Sequence, residues 1–298
     1  MTEISLHGTL TGHQNPIYTL EVDIDKHLLY SAGNDKGIVE WDLMQLKFQR
    51  ILCAVPASVY FLKIIPGTDW IAAGMRNGEL FIIQRTNPRL VAKLNVEKGA
   101  IFNIKILTSK NEIIAIGEEG RAYVWSLDTF QLLYTFQVSK ETIRTMEVSG
   151  DQKTVVFGDK GGMVYIHDAQ DFHRIAESKT HEMAISSMLL DDGYLYTGGR
   201  DARMYKLSFP SLQKENELTP HFFTVYGIAP LLDKLVTVSR DKTIKIWDRD
   251  FRLLKNISRD KGIDSHQLSI NSLIYDHVAR LLCTAGDDKQ IKVWAVEV

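Results

Sequence analysis

Cysteine is scarce in this chain, and so are long apolar runs, charge of one sign and helical periodicity. Only two cysteines occur in 298 residues, Cys53 and Cys283, both inside strand-like patterns. That count excludes a disulfide framework and points to small buried hydrophobes in a reducing compartment. No run approaches the roughly 20 apolar residues that would span a bilayer. The start, Met1-Thr2-Glu3-Ile4, has neither the basic stretch nor the apolar core of a secretion signal. Asn256-Ile257-Ser258 is therefore read as a chance match to a glycosylation pattern, and the expected location is cytoplasmic. The formal net charge is −2, from 35 Lys and Arg against 37 Asp and Glu, which argues against a generic nucleic-acid or anionic-membrane binder. No Cys/His spacing suits a metal and no cofactor motif is present, so neither is expected. Gly158-Asp159-Lys160-Gly161-Gly162 looks like a phosphate loop, but it sits in a strand-to-strand turn with no helix to follow. The adjacent carboxylates Glu118-Glu119 and Asp191-Asp192 read as solvated turn residues. No Pro-, Gly- or Ser-rich linker breaks the register, so residues 1–298 read as one domain.

What the chain has is repetition. Gly33-Asn34-Asp35-Lys36 precedes Trp41-Asp42, Ser239-Arg240-Asp241-Lys242 precedes Trp247-Asp248, and Gly286-Asp287-Asp288-Lys289 precedes Val293-Trp294. In each copy an Asp lies six residues before a Trp, and a Ser or Thr lies ten before it. Followed through weaker copies, the Trp position falls on Trp41, Ile82, Trp125, Ile166, Leu207, Trp247 and Trp294. The hydroxyl position falls on Ser31, Ala72, Ala115, Val156, Thr197, Thr237 and Thr284, and the Asp position on Asp35, Arg76, Glu119, Lys160, Asp201, Asp241 and Asp288. Repetition on this scale means stacked supersecondary units.

Each unit reads as four short strands. In the first they are residues 17–22, 27–32, 38–42 and 47–53, with a turn from Gly33 to Gly37. Seven such units in series form an all-β, seven-bladed β-propeller of four-stranded antiparallel blades. The seventh unit lacks room for a fourth strand, whereas Thr2 to Leu10 is unassigned and places Ile4, Leu6 and Leu10 on one parity. Residues 2–10 are therefore expected to supply the outer strand of blade 7 and close the ring, which removes an unpaired edge.

The Thr11-Gly12-His13 start, the Asp35 turn and the Trp41-Asp42 end, with Asp241 and Trp247-Asp248, resemble the WD40 repeat, and the resemblance covers essentially the whole chain. It implies a hydrogen-bonded tetrad inside a blade, joining a His, the Ser/Thr, the turn Asp and the Trp indole. The complete sets would be His13/Ser31/Asp35/Trp41, His221/Thr237/Asp241/Trp247 and His266/Thr284/Asp288/Trp294. Blade 5 keeps His181, Thr197 and Asp201 but has Leu207. Blades 2 to 4 lose the network as a set, as a half-satisfied buried network would demand, and Trp125 must find another partner. A repeating His, hydroxyl and Asp is not a hydrolase site, because catalysis needs one copy beside a cleft. No catalytic residue is assigned.

Function must then come from surface. The resemblance implies partner binding on the entrance face, through residues early in each innermost strand and the residue before each turn Asp. The innermost positions are Tyr18, Tyr60, Phe102, Arg144, Ser186, Tyr226 and Asn271; the turn positions are Asn34, Met75, Glu118, Asp159, Arg200, Arg240 and Asp287. Tyr18, Tyr60, Phe102 and Met75 form an apolar arc, and Arg144, Arg200, Arg240 and Tyr226 a cationic one. Such residue types are enriched at interfaces. The competing reading has the aromatics plugging the funnel and the arginines paired with Glu118, Asp159 and Asp287. The expected function is a non-enzymatic scaffold, a monomeric propeller within a complex, binding a protein or peptide that carries an acidic group. The alternatives are a structural subunit of a larger assembly and an enzyme using the axial pocket. One long connection, Ser258 to Ser265, reads as a polar loop into blade 7.

Overall fold

The computed structural model describes residues 3–297. Twenty-eight strands form seven four-stranded antiparallel sheets, and one short 3-10 turn, Arg259–Lys261, occupies the long connection. The first blade comprises Ile17–Asp23, Leu28–Gly33, Gly37–Asp42 and Lys47–Ala54, innermost to outermost. Its burial shows why the sequence alternates. The second strand is buried on both faces and reads as an apolar run, whereas the outer strand is exposed and carries Lys47 and Arg50. Seven apolar clusters hold the ring, one between each pair of neighbouring blades.

The ring closes as expected, with Glu3–Thr11 pairing antiparallel to Gln290–Glu297. Thr2 lies outside the described residues. One detail differs. A bulge between Leu6 and Gly8 adds a residue to the strand, which reverses the alternation. Ile4 and Leu6 pack between blades 6 and 7, while Leu10 faces the other way, into the cluster between blades 7 and 1. This single strand thus ties together three blades.

Register corrects the assignment in two blades. In blade 2, Ile71 pairs with Ile83 and Leu62 with Ala73, as Leu29 pairs with Trp41 and Leu20 with Ser31 in blade 1. The Trp and hydroxyl positions there are therefore Ile83 and Ala73, not Ile82 and Ala72. In blade 4 they are His167 and Phe157, not Ile166 and Val156. The turn residues shift with them, to Arg76 and Lys160. Met75, placed on the entrance face by sequence spacing, is instead fully buried between blades 1 and 2. Asp159 is likewise buried.

Cys283 is buried and Cys53 half-buried in an outer strand; both are free thiols. No helix among the described residues is long and apolar enough to cross a membrane.

Candidate functional site

The tetrads set the turns that shape the entrance face. In blade 1, His13 Nδ1 lies 2.6 Å from Asp35 Oδ2, His13 Nε2 lies 2.7 Å from Ser31 Oγ, and Trp41 Nε1 donates to Ser31 Oγ at 2.7 Å. Blade 6 repeats this with His221–Asp241 at 3.0 Å, His221–Thr237 at 2.8 Å and Trp247–Thr237 at 2.9 Å. Blade 7 does so with His266–Asp288 at 2.9 Å, His266–Thr284 at 2.9 Å and Trp294–Thr284 at 3.0 Å. Blade 5 keeps the His181–Asp201 and His181–Thr197 bonds, and Tyr205 packs edge-on against the imidazole at 4.7 Å.

The proton inventory fixes the tautomer. The indole can only donate, so the hydroxyl accepts from it and gives its own proton to Nε2; Nδ1–H then donates to the carboxylate. A second imidazole proton would leave the hydroxyl proton without an acceptor. Accordingly, burial pushes the His13 and His221 pKa values down despite the Asp35 and Asp241 bonds that oppose it. Burial alone would raise the Asp241 carboxyl, but donors from His221, Thr243 and the Phe222 backbone outweigh it and hold the group low. The hydroxyls are fully buried, so this His–Ser–Asp geometry has no access to a substrate.

Blade 4 has a replacement that sequence reading missed. Ser139 Oγ donates to Asp159 Oδ2 at 2.6 Å, and Tyr165 Oη donates to the same oxygen at 3.0 Å. Trp125 stacks on Tyr123 at 5.9 Å; the hydrogen-bond partner expected for its N–H is not found among the described residues.

The channel mouth is built by a repeated irregularity. Every innermost strand carries a register shift at the same point: between Ile17 and Thr19, Val59 and Phe61, Ile101 and Asn103, Ile143 and Thr145, Ile185 and Ser187, Val225 and Gly227, and Ile270 and Ser272. The bulged residues are Tyr18, Tyr60, Phe102, Arg144, Ser186, Tyr226 and Asn271, the set expected from sequence to face the entrance. A bulge leaves one residue out of the pleat and re-aims its side chain. All seven line an axial cavity of about 890 Å³.

Within that ring the side chains form a ladder. Tyr18 meets Tyr60 edge-on at 5.5 Å, Tyr60 stacks on Phe102 at 5.6 Å, and the Arg144 guanidinium lies 4.8 Å above the Phe102 ring. The apolar and cationic arcs are therefore joined. Arg76 and Arg240 line the mouth, while Arg200 stands exposed at the blade 5 turn outside it. None of Arg76, Arg144, Arg200 and Arg240 forms an ion pair among the described residues. The pairing with Glu118, Asp159 and Asp287 of the competing reading is not found among the described residues: Asp159 is buried, and Asp287 accepts from Asn271 at 2.8 Å. Burial, with Tyr60 and Asp287 nearby, raises the Tyr18 phenol pKa. Deeper in the channel the charges are matched, Lys63 with Glu21 at 2.8 Å and Lys105 with Glu147 at 2.7 Å.

Sequence reading also missed an apolar rim. Phe222 is 86% exposed and Phe223 is 55% exposed, on the loop entering blade 6, with Arg240 lying 5.8 Å over the Phe223 ring. The available signal was a Phe-Phe pair where blade 1 has Gln14-Asn15 and blade 7 Gln267-Leu268. Asp168, Asp171 and His173 also converge, but Asp168 is a half-buried strand end whose carboxylate accepts the Gln170 backbone N–H at 2.6 Å, and Asp171 and His173 are exposed.

Three segments, residues 4–42, 212–248 and 259–295, match the family model described as WD domain, G-beta repeat; they hold the three complete tetrads. The chain is 24% identical over 151 residues to transcription factor unc-37 of Caenorhabditis elegans, covering 51% of this chain and 24% of that protein. It is 22% identical over 279 residues to telomerase protein component 1 of Rattus norvegicus, covering 90% and 10%. To target of rapamycin complex subunit LST8 of Saccharomyces cerevisiae it is 22% identical over 255 residues, covering 80% and 82%. The chain thus spans a quarter or less of the first two relatives. The matched segments, the tetrads and the strand that closes the ring make this chain a seven-bladed β-propeller with WD40 repeats in blades 1, 6 and 7.

Proposed function

We propose that the chain is a non-enzymatic interaction scaffold that holds an extended segment of another protein across the entrance face. One observation carries this reading: an aromatic ladder ending in a stacked guanidinium, ringed by arginines without ion-pair partners. An apolar side chain of the partner fits against Tyr18, Tyr60 and Phe102. A carboxylate fits Arg144 and Arg240, with Arg200 flanking, where charge-assisted bonds are strong. The matched lysine–carboxylate pairs deeper in the channel support a non-catalytic role, since neither carboxylate is free to act as a base. The test is selection of random 12-residue peptides on the immobilised protein, then anisotropy titration of the selected peptides. Enriched peptides should pair an aromatic or large aliphatic residue with Asp or Glu. Tyr60→Ala and Arg240→Glu should each weaken them by about 1–3 kcal/mol, as hot-spot truncations do. Peptides that bind both variants as tightly as the parent place the interface elsewhere.

A second reading, a structural subunit of a larger assembly, is favoured by the exposed Phe48, Ile51, Leu253 and Leu254 on the outer strands. LST8 is itself named as a complex subunit.

A further inference from the structure

The seven outer strands are the open edges of this ring, and six of them carry charge. Glu3–Thr11 has Glu3, Lys47–Ala54 has Lys47 and Arg50, and Arg89–Asn95 has Arg89 and Lys93. Arg174–Lys179, Lys214–Leu218 and Leu253–Ile257 carry Arg174, Lys214 and Lys255 among others. Charged edges are the ordinary protection against strand-to-strand association. The outer strand of blade 3, Leu132–Gln137, reads Leu-Leu-Tyr-Thr-Phe-Gln and has no charge at all. Leu132, Leu133 and Tyr134 are consecutive, and each is about half exposed.

This edge is also stiff. Tyr134 and Phe136 both pack on Phe172 of blade 4, at 5.7 and 4.8 Å, and Lys110 Nζ lies 4.6 Å over that Phe172 ring. The strand keeps regular pairing from Tyr134↔Val124 to Gln137↔Arg121, with its one register shift near Leu132. A regular, uncharged, preorganised strand is a template for another strand.

We propose that the chain self-associates through this edge, two copies pairing their Leu132–Gln137 strands antiparallel across a twofold axis. A neutral strand sets no charged residue of its own against its copy; the Arg121 guanidinium of the neighbouring strand reaches only its Thr135 and Gln137 side chains, from one face. Pairing with any of the other six edges would set an apolar row against lysine, arginine or glutamate. The twofold arrangement also satisfies both open edges at once and closes, so no template remains. The two blades become one continuous eight-stranded sheet. This departs from the monomeric propeller expected from sequence, and it is independent of what the entrance face binds.

The experiment is sedimentation equilibrium of the full chain over a concentration series, with Leu133→Lys, Thr135→Lys and Gln49→Lys variants. The parent should rise from 33.9 kDa toward twice that mass. Leu133→Lys and Thr135→Lys should remain at the monomer mass with unchanged circular dichroism, and Gln49→Lys, which charges the blade 1 edge, should still dimerise. Hydrogen exchange should show the amides on the free side of the strand, those of Thr135 and Gln137, protected in the parent dimer and unprotected in Thr135→Lys. A parent that stays at monomer mass to several hundred micromolar overturns the proposal. So does a dimer that survives both blade 3 substitutions, or one that Gln49→Lys abolishes equally.

Discussion

Replacing Asp241 by alanine tests the tetrad logic most directly. The Asp241 carboxylate is 4% exposed and accepts from His221 Nδ1 at 3.0 Å, Thr243 Oγ1 at 2.7 Å, and the Phe222 and Thr243 backbone N–H groups at 3.0 Å each. Phe222 is open to solvent and Thr243 partly so, and water can replace much of what they lose. Water does not reach His221, whose side chain is fully buried with Nε2 committed to Thr237; the acceptor left to its Nδ1–H is the neutral Thr243 Oγ1 at 2.9 Å in place of a carboxylate. The lost charge-assisted bond costs about 1.5–3 kcal/mol, and the solvent-reachable donors add a few tenths each. The expected total is about 2–4 kcal/mol. For a chain of this size that lowers the melting temperature by roughly 2 °C per kcal/mol, or about 4–8 °C. Asp241→Asn, which keeps one acceptor but turns an NH₂ toward donors, should fall between. The assay is a thermal melt followed by circular dichroism at pH 7.5. If Asp241→Ala melts within a degree of the parent, the blade 6 network is not a unit and the proton inventory above is wrong.

Acid should destabilise the fold in two steps. Burial holds His13 and His221 below their ordinary value of 6.5, so as pH falls through 6.5 the unfolded chain takes up protons that the folded chain refuses. The Asp201, Asp241 and Asp288 carboxyls are each raised by burial, but hydrogen bonds led by the neighbouring histidines hold them below 3.8, so their stabilisation is lost as pH falls below that value. Melting temperature should therefore decline from pH 7 to 5 and again below 4; a curve flat from 7 to 5 refutes the neutral-histidine assignment. Deleting residues 1–10 removes the pairing with Gln290–Glu297 and the Ile4 and Leu10 contacts, and should abolish the cooperative melt of the parent. Met75→Ala should cost about 2–4 kcal/mol as a cavity in the cluster between blades 1 and 2, while leaving affinity for any selected peptide unchanged. A Met75→Ala protein of parental stability would return that side chain to the surface.

The blades that were legible in sequence were those in which a buried donor needs an acceptor. Trp41, Trp247 and Trp294 each require a hydroxyl, and the hydroxyl and imidazole require the Asp, so chemistry locks four positions together. Blades 2 and 4 have no such lock, and apolar residues on both faces of a buried strand leave alternation nothing to read. A better marker was the left-handed residue of each turn. It is Lys36, Lys242 and Lys289 in the strong copies, Ala202 in blade 5, and Gly78, Gly120 and Gly162 in blades 2 to 4. Glycine adopts that conformation without cost, so the three glycines carried the register that the missing aspartates did not. The seven side chains of the innermost strands were picked out by strand position alone, and all seven line the channel cavity. Met75 was misplaced by the one-residue slip in blade 2. Phe222 and Phe223 were overlooked because loop residues obey no period.

The recurrent bulge also separates two kinds of evolutionary constraint. In a regular strand every side chain belongs to one face or the other, and changing it disturbs packing. Tyr18, Tyr60, Phe102, Arg144, Ser186, Tyr226 and Asn271 lie outside that alternation, and none is part of an interblade cluster. Substitution at these positions changes the chemistry of the channel mouth while the walls stay as they are. The ring therefore works as a dial with seven settings, four of them coupled through the Tyr18–Tyr60–Phe102–Arg144 contacts, and a library randomised only there should yield folded propellers with altered specificities far more often than one randomised at neighbouring positions in the same strands.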